Sequence, residues 1–131
     1  MILNLTQHVA TADQIAAGVM DLDPVTRATV AALLTFDDIP TRQEIADRAD
    51  DLAAIAAIGD EPTDDETDAM RYDRVMIGGA PWLMAALEAA LRVNGLTPVY
   101  AFSRRESVDI SQLDGTVRKT AVFRHVGWVD A

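Results

Sequence analysis

Short apolar runs alternate with polar punctuation along the chain, a pattern that predicts brief strands separated by helices. Ile2-Leu3-Asn4-Leu5-Thr6 reads as a first strand closed by polar residues. Thr11-Ala12-Asp13-Gln14 places Thr at an N-cap and Gln three residues on, the capping-box spacing, and predicts a helix through about Met20. Asp23-Pro24 gives a second start, Asp at the N-cap and Pro at the first helical position, with a helix to about Leu34. Thr41-Arg42-Gln43-Glu44 is another capping box. It opens a helix with apolar positions Ile45, Leu52, Ile55 and Ile58, ended by Gly59.

Residues 59–73 are acidic and polar and contain Pro62, and are expected to form a solvated, mobile loop. Arg74-Val75-Met76-Ile77 predicts a second strand, stopped by Gly78-Gly79. Pro81 begins a helix to Asn94, closed by Gly95. Only Glu88, Arg92 and Asn94 are strongly polar there, and Glu88 and Arg92 have the spacing of a favourable pair. A helix apolar on nearly every face needs cover on two sides, so a homodimer partner is expected beside the sheet. Thr97–Phe102 predicts a third strand. Ser107–Ile110 and Thr116–Phe123 flank Leu113-Asp114-Gly115, and Asp-Gly is a strong hairpin signal. Strands separated by helices imply a parallel sheet. The expected fold is α/β: one domain over residues 1–131, a small Rossmann-like three-layer sandwich, its mainly parallel sheet edged by a C-terminal β-hairpin.

Composition narrows the chemistry. The 131 residues suit one domain, and half are apolar, enough for a core. With no cysteine, disulfides, zinc-thiolate sites and Cys nucleophiles are excluded. Two histidines without cysteine make a zinc cluster improbable, so neither metal nor cofactor is expected. The longest apolar run, around residues 80–87, is far short of a membrane helix, and no membrane association is expected. Met1–Leu5 lacks the basic start of a signal peptide, which makes a cytoplasmic location the expectation. The net charge of −10 opposes duplex nucleic acid as a partner. That charge is uneven: residues 1–96 carry 6 basic and 17 acidic side chains, residues 97–131 carry 5 and 4. An anion site is therefore expected near the C-terminal third.

Open parallel sheets bind ligands outside the carboxyl ends of their strands. The first predicted strand is followed by Gln7, His8 and Thr11, the second by Gly78, Gly79 and Ala80, and the third by Ser103, Arg104, Arg105, Glu106 and Ser107. A histidine, a Gly-Gly turn on a positive helix end and an arginine pair are the parts of a phosphate or nucleotide site. Each part has a plainer reading. Thr11 and Gln14 fit a cap, Gly78-Gly79 a tight turn, Arg104-Arg105 a solvated strand end with one side chain on each face, and Arg124-His125 a paired edge strand. Trp82 and Trp128 read as packing or interface residues.

The opening Ile2–Gln14, a strand followed by His-x-x-Thr-x-x-Gln and a helix, resembles the start of small CRISPR-associated Rossmann-like proteins related to the CARF-domain ring nucleases. The resemblance implies binding of a cyclic oligoadenylate second messenger, cyclic tetra-adenylate as the expected ring, across a homodimer interface at the strand ends. By that resemblance Gln7, His8, Gly78, Gly79 and Ser103–Arg105 line the pocket. Cleavage needs no metal in principle: the ribose 2′-OH attacks in line, giving linear products with a 2′,3′-cyclic phosphate. His8 would act as general base or acid, since imidazole as a side-chain type exchanges protons near neutral pH, and Arg105 would stabilise charge on phosphorus. Arg104, Arg124 and Thr11 are further expected ligand contacts. Two other readings use the same residues differently: a module that senses a nucleotide without cleaving it, and an acidic protein-interaction domain built on helices 13–73. A metal-dependent hydrolase is disfavoured, because His8 and His125 lie far apart and no acidic cluster follows a strand.

Overall fold

The apolar run near the N-terminus becomes the middle of a sheet. In the computed structural model, which describes residues 1–59 and 72–131, β1 (Ile2–Asn4) pairs in parallel with β2 (Val19–Asp21) on one side and β3 (Arg74–Met76) on the other. β4 (Thr97–Ser111) continues the parallel sheet beyond β3, and β5 (Val117–Asp130) runs antiparallel along β4. The order is β2-β1-β3-β4-β5. It is a mixed α/β sheet, mostly parallel with an antiparallel hairpin at its edge, consistent with the Rossmann-like expectation.

Central strands covered on both faces must be apolar on both. Leu3 and Leu5 of the first segment, with Val75 and Ile77 of the third, point into the larger core. There they meet α2 (Pro24–Leu34), α3 (Arg42–Gly59) and α4 (Pro81–Val93) through Val30, Leu34, Leu52, Leu83, Leu87 and Leu91. Ile2, Val19, Met76 and Val99 face the other way, into a smaller cluster with Ala10 and, at its margin, Trp128. On this side the cover is α1 (Ala12–Ala16), a single turn that touches both β2 and β5.

Three sequence expectations shift. The first helix does not reach Met20: Gly18, at φ +99°, ends it, and Val19–Asp21 pairs with β1 as an edge strand. In α3, Ile58 is exposed, while Ala49, Ala53 and Ala56 are buried with Leu52. Small side chains there let α3 pack closely on α4. Third, the strand expected to end at Phe102 and the first arm of the hairpin are one continuous strand, β4.

Most of the acidic loop expected over 59–73 lies outside the described residues. Tyr72, at its end, is core: it is buried and its hydroxyl donates to the Ala56 carbonyl at 2.6 Å. Among the described residues, no helix is long and apolar enough to cross a membrane.

Candidate functional site

A strand order of 2-1-3-4 reverses direction at β1. The connection after β1 leads to α1 on one face, and the connection after β3 leads to α4 on the other. The two loops therefore part at the carboxyl ends of β1 and β3, where such sheets form a crevice. A cavity of about 520 Å³ opens there, lined by Thr6–Val9, Thr11 and Gln14 from one side, Met76–Gly79 from the other, and Tyr100 and Ala101 of β4.

The loop after β1 is held by a polar residue inside an apolar strand. Asn4 is 3% exposed, and its amide is fully used. Nδ2 donates to Asp21 Oδ1 and to the His8 carbonyl, both at 2.7 Å. Oδ1 accepts from the Thr6 backbone N–H at 3.0 Å and the Thr6 hydroxyl at 2.7 Å. Asp21, in register with Asn4 on the neighbouring strand, also accepts from the Ala10 N–H at 3.1 Å. A buried polar group is costly unless paired, so a network this complete fixes the loop that carries His8. The His8 ring is exposed on the pocket wall and has no hydrogen-bond partner among the described residues.

The neighbouring side chains are partly committed. Gln7 Nε2 donates to Thr35 Oγ1 at 3.1 Å, which ties the loop to the end of α2. Thr11 and Gln14 form the capping box: the Gln14 N–H donates to Thr11 Oγ1 at 3.2 Å and the Thr11 N–H to Gln14 Oε1 at 3.0 Å. The Thr11 hydroxyl proton and the Gln14 amide hydrogens stay available on the pocket side. Opposite, a Cβ on Gly78 would stand 3.7 Å from Thr6 Cγ2, so the two loops lie side by side. Gly79 has φ +142°, a conformation that favours glycine. α4 starts just past it with Ala80 at the N-cap and Pro81 after it, and no side chain caps the helix. Its positive end therefore stands beside the pocket rim without an internal anion. The Tyr100 hydroxyl donates to Glu88 Oε1 at 3.2 Å. Burial, and then the Glu88 carboxylate, push this phenol above its ordinary range. Glu88 is engaged with Tyr100 and is not within ion-pair distance of Arg92.

Of the residues singled out from sequence, Gln7, His8, Thr11, Gly78 and Gly79 come together around this cavity. Ser103, Arg104, Arg105 and Arg124 do not. Pairing with β5 carries β4 straight through them, and they stand on a two-stranded ribbon that leaves the sheet. Arg104 lies directly opposite Arg124, and Arg105 opposite Phe123, all exposed. Arg124 Nε is 3.6 Å from Glu106 Oε2. Ser103 faces His125, whose ring packs 4.5 Å from Trp128 at the ribbon's root. The strand was misplaced because Ser-Arg-Arg-Glu-Ser carries no apolar signal. Cross-strand hydrogen bonding, not burial, keeps it extended.

Sequence reasoning passed over Asn4, Asp21, Thr6 and Tyr100. Asn4 was legible as the single polar interruption of Ile2–Leu5. Asp21 was not, since its role depends on β2. Among the described residues, no group of three His, Asp or Glu side chains is placed to hold a metal.

A family model matches residues 1–129, described as the uncharacterized protein MJ1673 family, and the chain belongs to that family. No curated protein and no solved structure matches the chain.

Proposed function

We propose that the crevice between the ends of β1 and β3 binds a nucleotide, and that cyclic oligoadenylate, the ligand implied by the Ile2–Gln14 resemblance, is cleaved there by its own 2′-OH. The observation that carries this reading is that His8 and the Gly78-Gly79 loop, which leads into the uncapped start of α4, line one cavity. Phosphate oxygens would take backbone N–H groups of the Gly78-Gly79 turn that leads into α4, and Thr11 and Gln14 would donate to ribose or base. His8, on a loop locked by Asn4, would remove the 2′-OH proton or protonate the leaving 5′-oxygen. The reading includes two copies of the chain, because the α4 face bearing Trp82, Ala85, Ala89 and Val93 is exposed.

A second reading, binding without turnover, is favoured by one observation. No Arg or Lys lines the cavity, so charge developing on phosphorus would be met without a cationic side chain. Incubation with cyclic tri-, tetra- and hexa-adenylate, with and without EDTA, and separation of the products decides between them. Binding without linear product selects the sensor, and neither binding nor product for any ring overturns both. If cleavage occurs, His8→Ala should slow single-turnover cleavage about 10²–10⁴-fold at an unchanged melting temperature. A wild-type rate in that variant removes His8 from the chemistry.

A further inference from the structure

A second cavity, also of about 520 Å³, lies outside the crevice. Phe36, Pro40, Ile45 and Trp82 form its apolar wall, and Asp37 and Asp38 also line it. The wall is held by its own contacts. The Phe36 ring stands edge-on to Trp82 at 5.7 Å, with the Arg48 guanidinium 4.2 Å from its centre. Arg48 is fixed in turn by the Leu33 and Thr35 carbonyls at the end of α2 and by Glu44 at 2.9 Å. Trp82 still stands 54% exposed, so much of its indole has no partner within the chain.

The two cavities are neighbours. Gln7 lines the first and donates to Thr35, and the next residue, Phe36, lines the second. Gly79 lines the first and Trp82, three residues on, lines the second, so their Cα atoms are at most about 11 Å apart. One nucleotide spans such a distance. The two cavities differ in electrical character. No Asp or Glu lines the first, and its Gly78-Gly79 turn leads to the positive end of α4. The second is lined by two carboxylates and no basic side chain. A phosphate is therefore favoured in the first and repelled by the second. A neutral aromatic ring with N–H donors suits the second, because it stacks on indole while a carboxylate can only accept. A nucleotide carries these two kinds of group at its opposite ends.

We propose that the Phe36–Trp82 cavity is a nucleobase subsite: with a phosphate at Gly78-Gly79, an adjoining base stacks on Trp82 and donates its exocyclic amine to Asp37 or Asp38. The inference rests on the nucleotide reading of the crevice and extends it to a second base of the same ligand. Stacking tolerates any base, since every base has a π-face, so selectivity comes from the carboxylates. They favour a base with an amine at the contacted edge and disfavour one with a carbonyl there. The acidic lining thus serves to sort the ends of the ligand rather than to oppose its binding.

Calorimetric titration of the whole chain with cyclic tri-, tetra- and hexa-adenylate, and with the matching rings of inosine, tests it. Inosine carries a carbonyl where adenosine carries its amine, and the adenosine ring should bind about tenfold more tightly. It should also quench indole emission. Trp82→Ala, which leaves Trp128 as the remaining tryptophan, should abolish that quenching and weaken binding about 10- to 100-fold, and Trp82→Phe should recover most of the affinity. Asp37→Asn with Asp38→Asn alters exposed side chains, so folding is kept, and should narrow the preference for adenosine to under about threefold. A wild type that binds no adenylate ring overturns the nucleotide reading and the subsite with it. Binding that Trp82→Ala leaves unchanged overturns the subsite alone, and if that variant also turns a dimer into a monomer in sedimentation, the cavity belongs to a second copy. A double Asn variant that binds both rings more tightly by the same factor overturns it too, because the carboxylates then only repel.

Discussion

The body and the ribbon are built from the same kinds of residue but by opposite means. In the body, β1 and β3 are only three residues long, yet Leu3, Leu5, Val75 and Ile77 are fully or almost fully buried under three helices. In the ribbon, the strands run to 15 and 14 residues, and beyond Phe102 no side chain is fully buried, with only a few such as Val108, Val122 and His125 partly covered. Strand length here is set by hydrogen bonding and turn geometry, whereas stability is set by burial. The Gln112–Gly115 turn, closed by the Gly115 N–H to the Gln112 carbonyl at 3.0 Å with Gly115 at φ +81°, sets the register of the nine successive pairs from Ser103–His125 to Ser111–Val117. The one break, where Phe102 pairs with Gly127 and Ser103 with His125, leaves Val126 as a bulge where the ribbon departs from the sheet.

The sharpest way to break this contrast is to truncate one leucine in each region. Leu87→Ala, in the middle of α4 and fully buried, should cost about 2–5 kcal/mol, read from chemical denaturation. Leu113→Ala should change the stability of the monomer by under about 0.5 kcal/mol. Comparable losses would mean that the ribbon folds as part of the core. Next in size is Asn4→Ala, which leaves the Asp21 carboxylate and the Thr6 and His8 backbone short of partners. It should cost about 1–3 kcal/mol and also weaken nucleotide binding, whereas a variant stable as wild type would show that the loop is held by other contacts.

A smaller effect is expected where sequence alone anticipated a large one. With Arg104 and Arg105 on the ribbon rather than at the cavity, the double change to Ala should alter nucleotide affinity of a single copy by less than about threefold, below roughly 0.7 kcal/mol. A loss of a hundredfold in calorimetry would return the arginines to the site. The smallest effect is at the turn. The Thr116 hydroxyl, and then the Thr116 N–H, hold the Asp114 carboxyl below its ordinary pKa. Its contribution is therefore present above about pH 4 and is lost as pH falls through the lowered value. Amide exchange at Thr116 and Gly115 should speed up below that range, ahead of any change in the body. Exchange that follows the global unfolding of the body would contradict the separation of the two regions.

Local chemistry made much of this molecule legible from sequence. The capping box at Thr11 and the N-caps at Asp23 and Thr41 start helices where expected, because capping is a contact over three residues, although Glu44 pairs with Arg48 and leaves the box expected at Thr41 half made. The Asp114-Gly115 turn and the Gly78-Gly79 stop are equally local, and the positions of His8 and Gly79 after their strands followed from them. The sequence also implied the parallel order, since strands separated by helices leave little else. What needed the tertiary structure was everything that depends on a partner distant along the chain. Val19–Asp21 becomes a strand because β1 offers it an edge. Asn4 becomes the anchor of the His8 loop because Asp21 lies beside it, and Ser103–Glu106 stays extended because β5 pairs with it. Whether a strand-end residue meets the pocket or leaves on a ribbon is decided by where the strand ends. That depends on cross-strand hydrogen bonds between backbones, which the side chains of one segment do not encode.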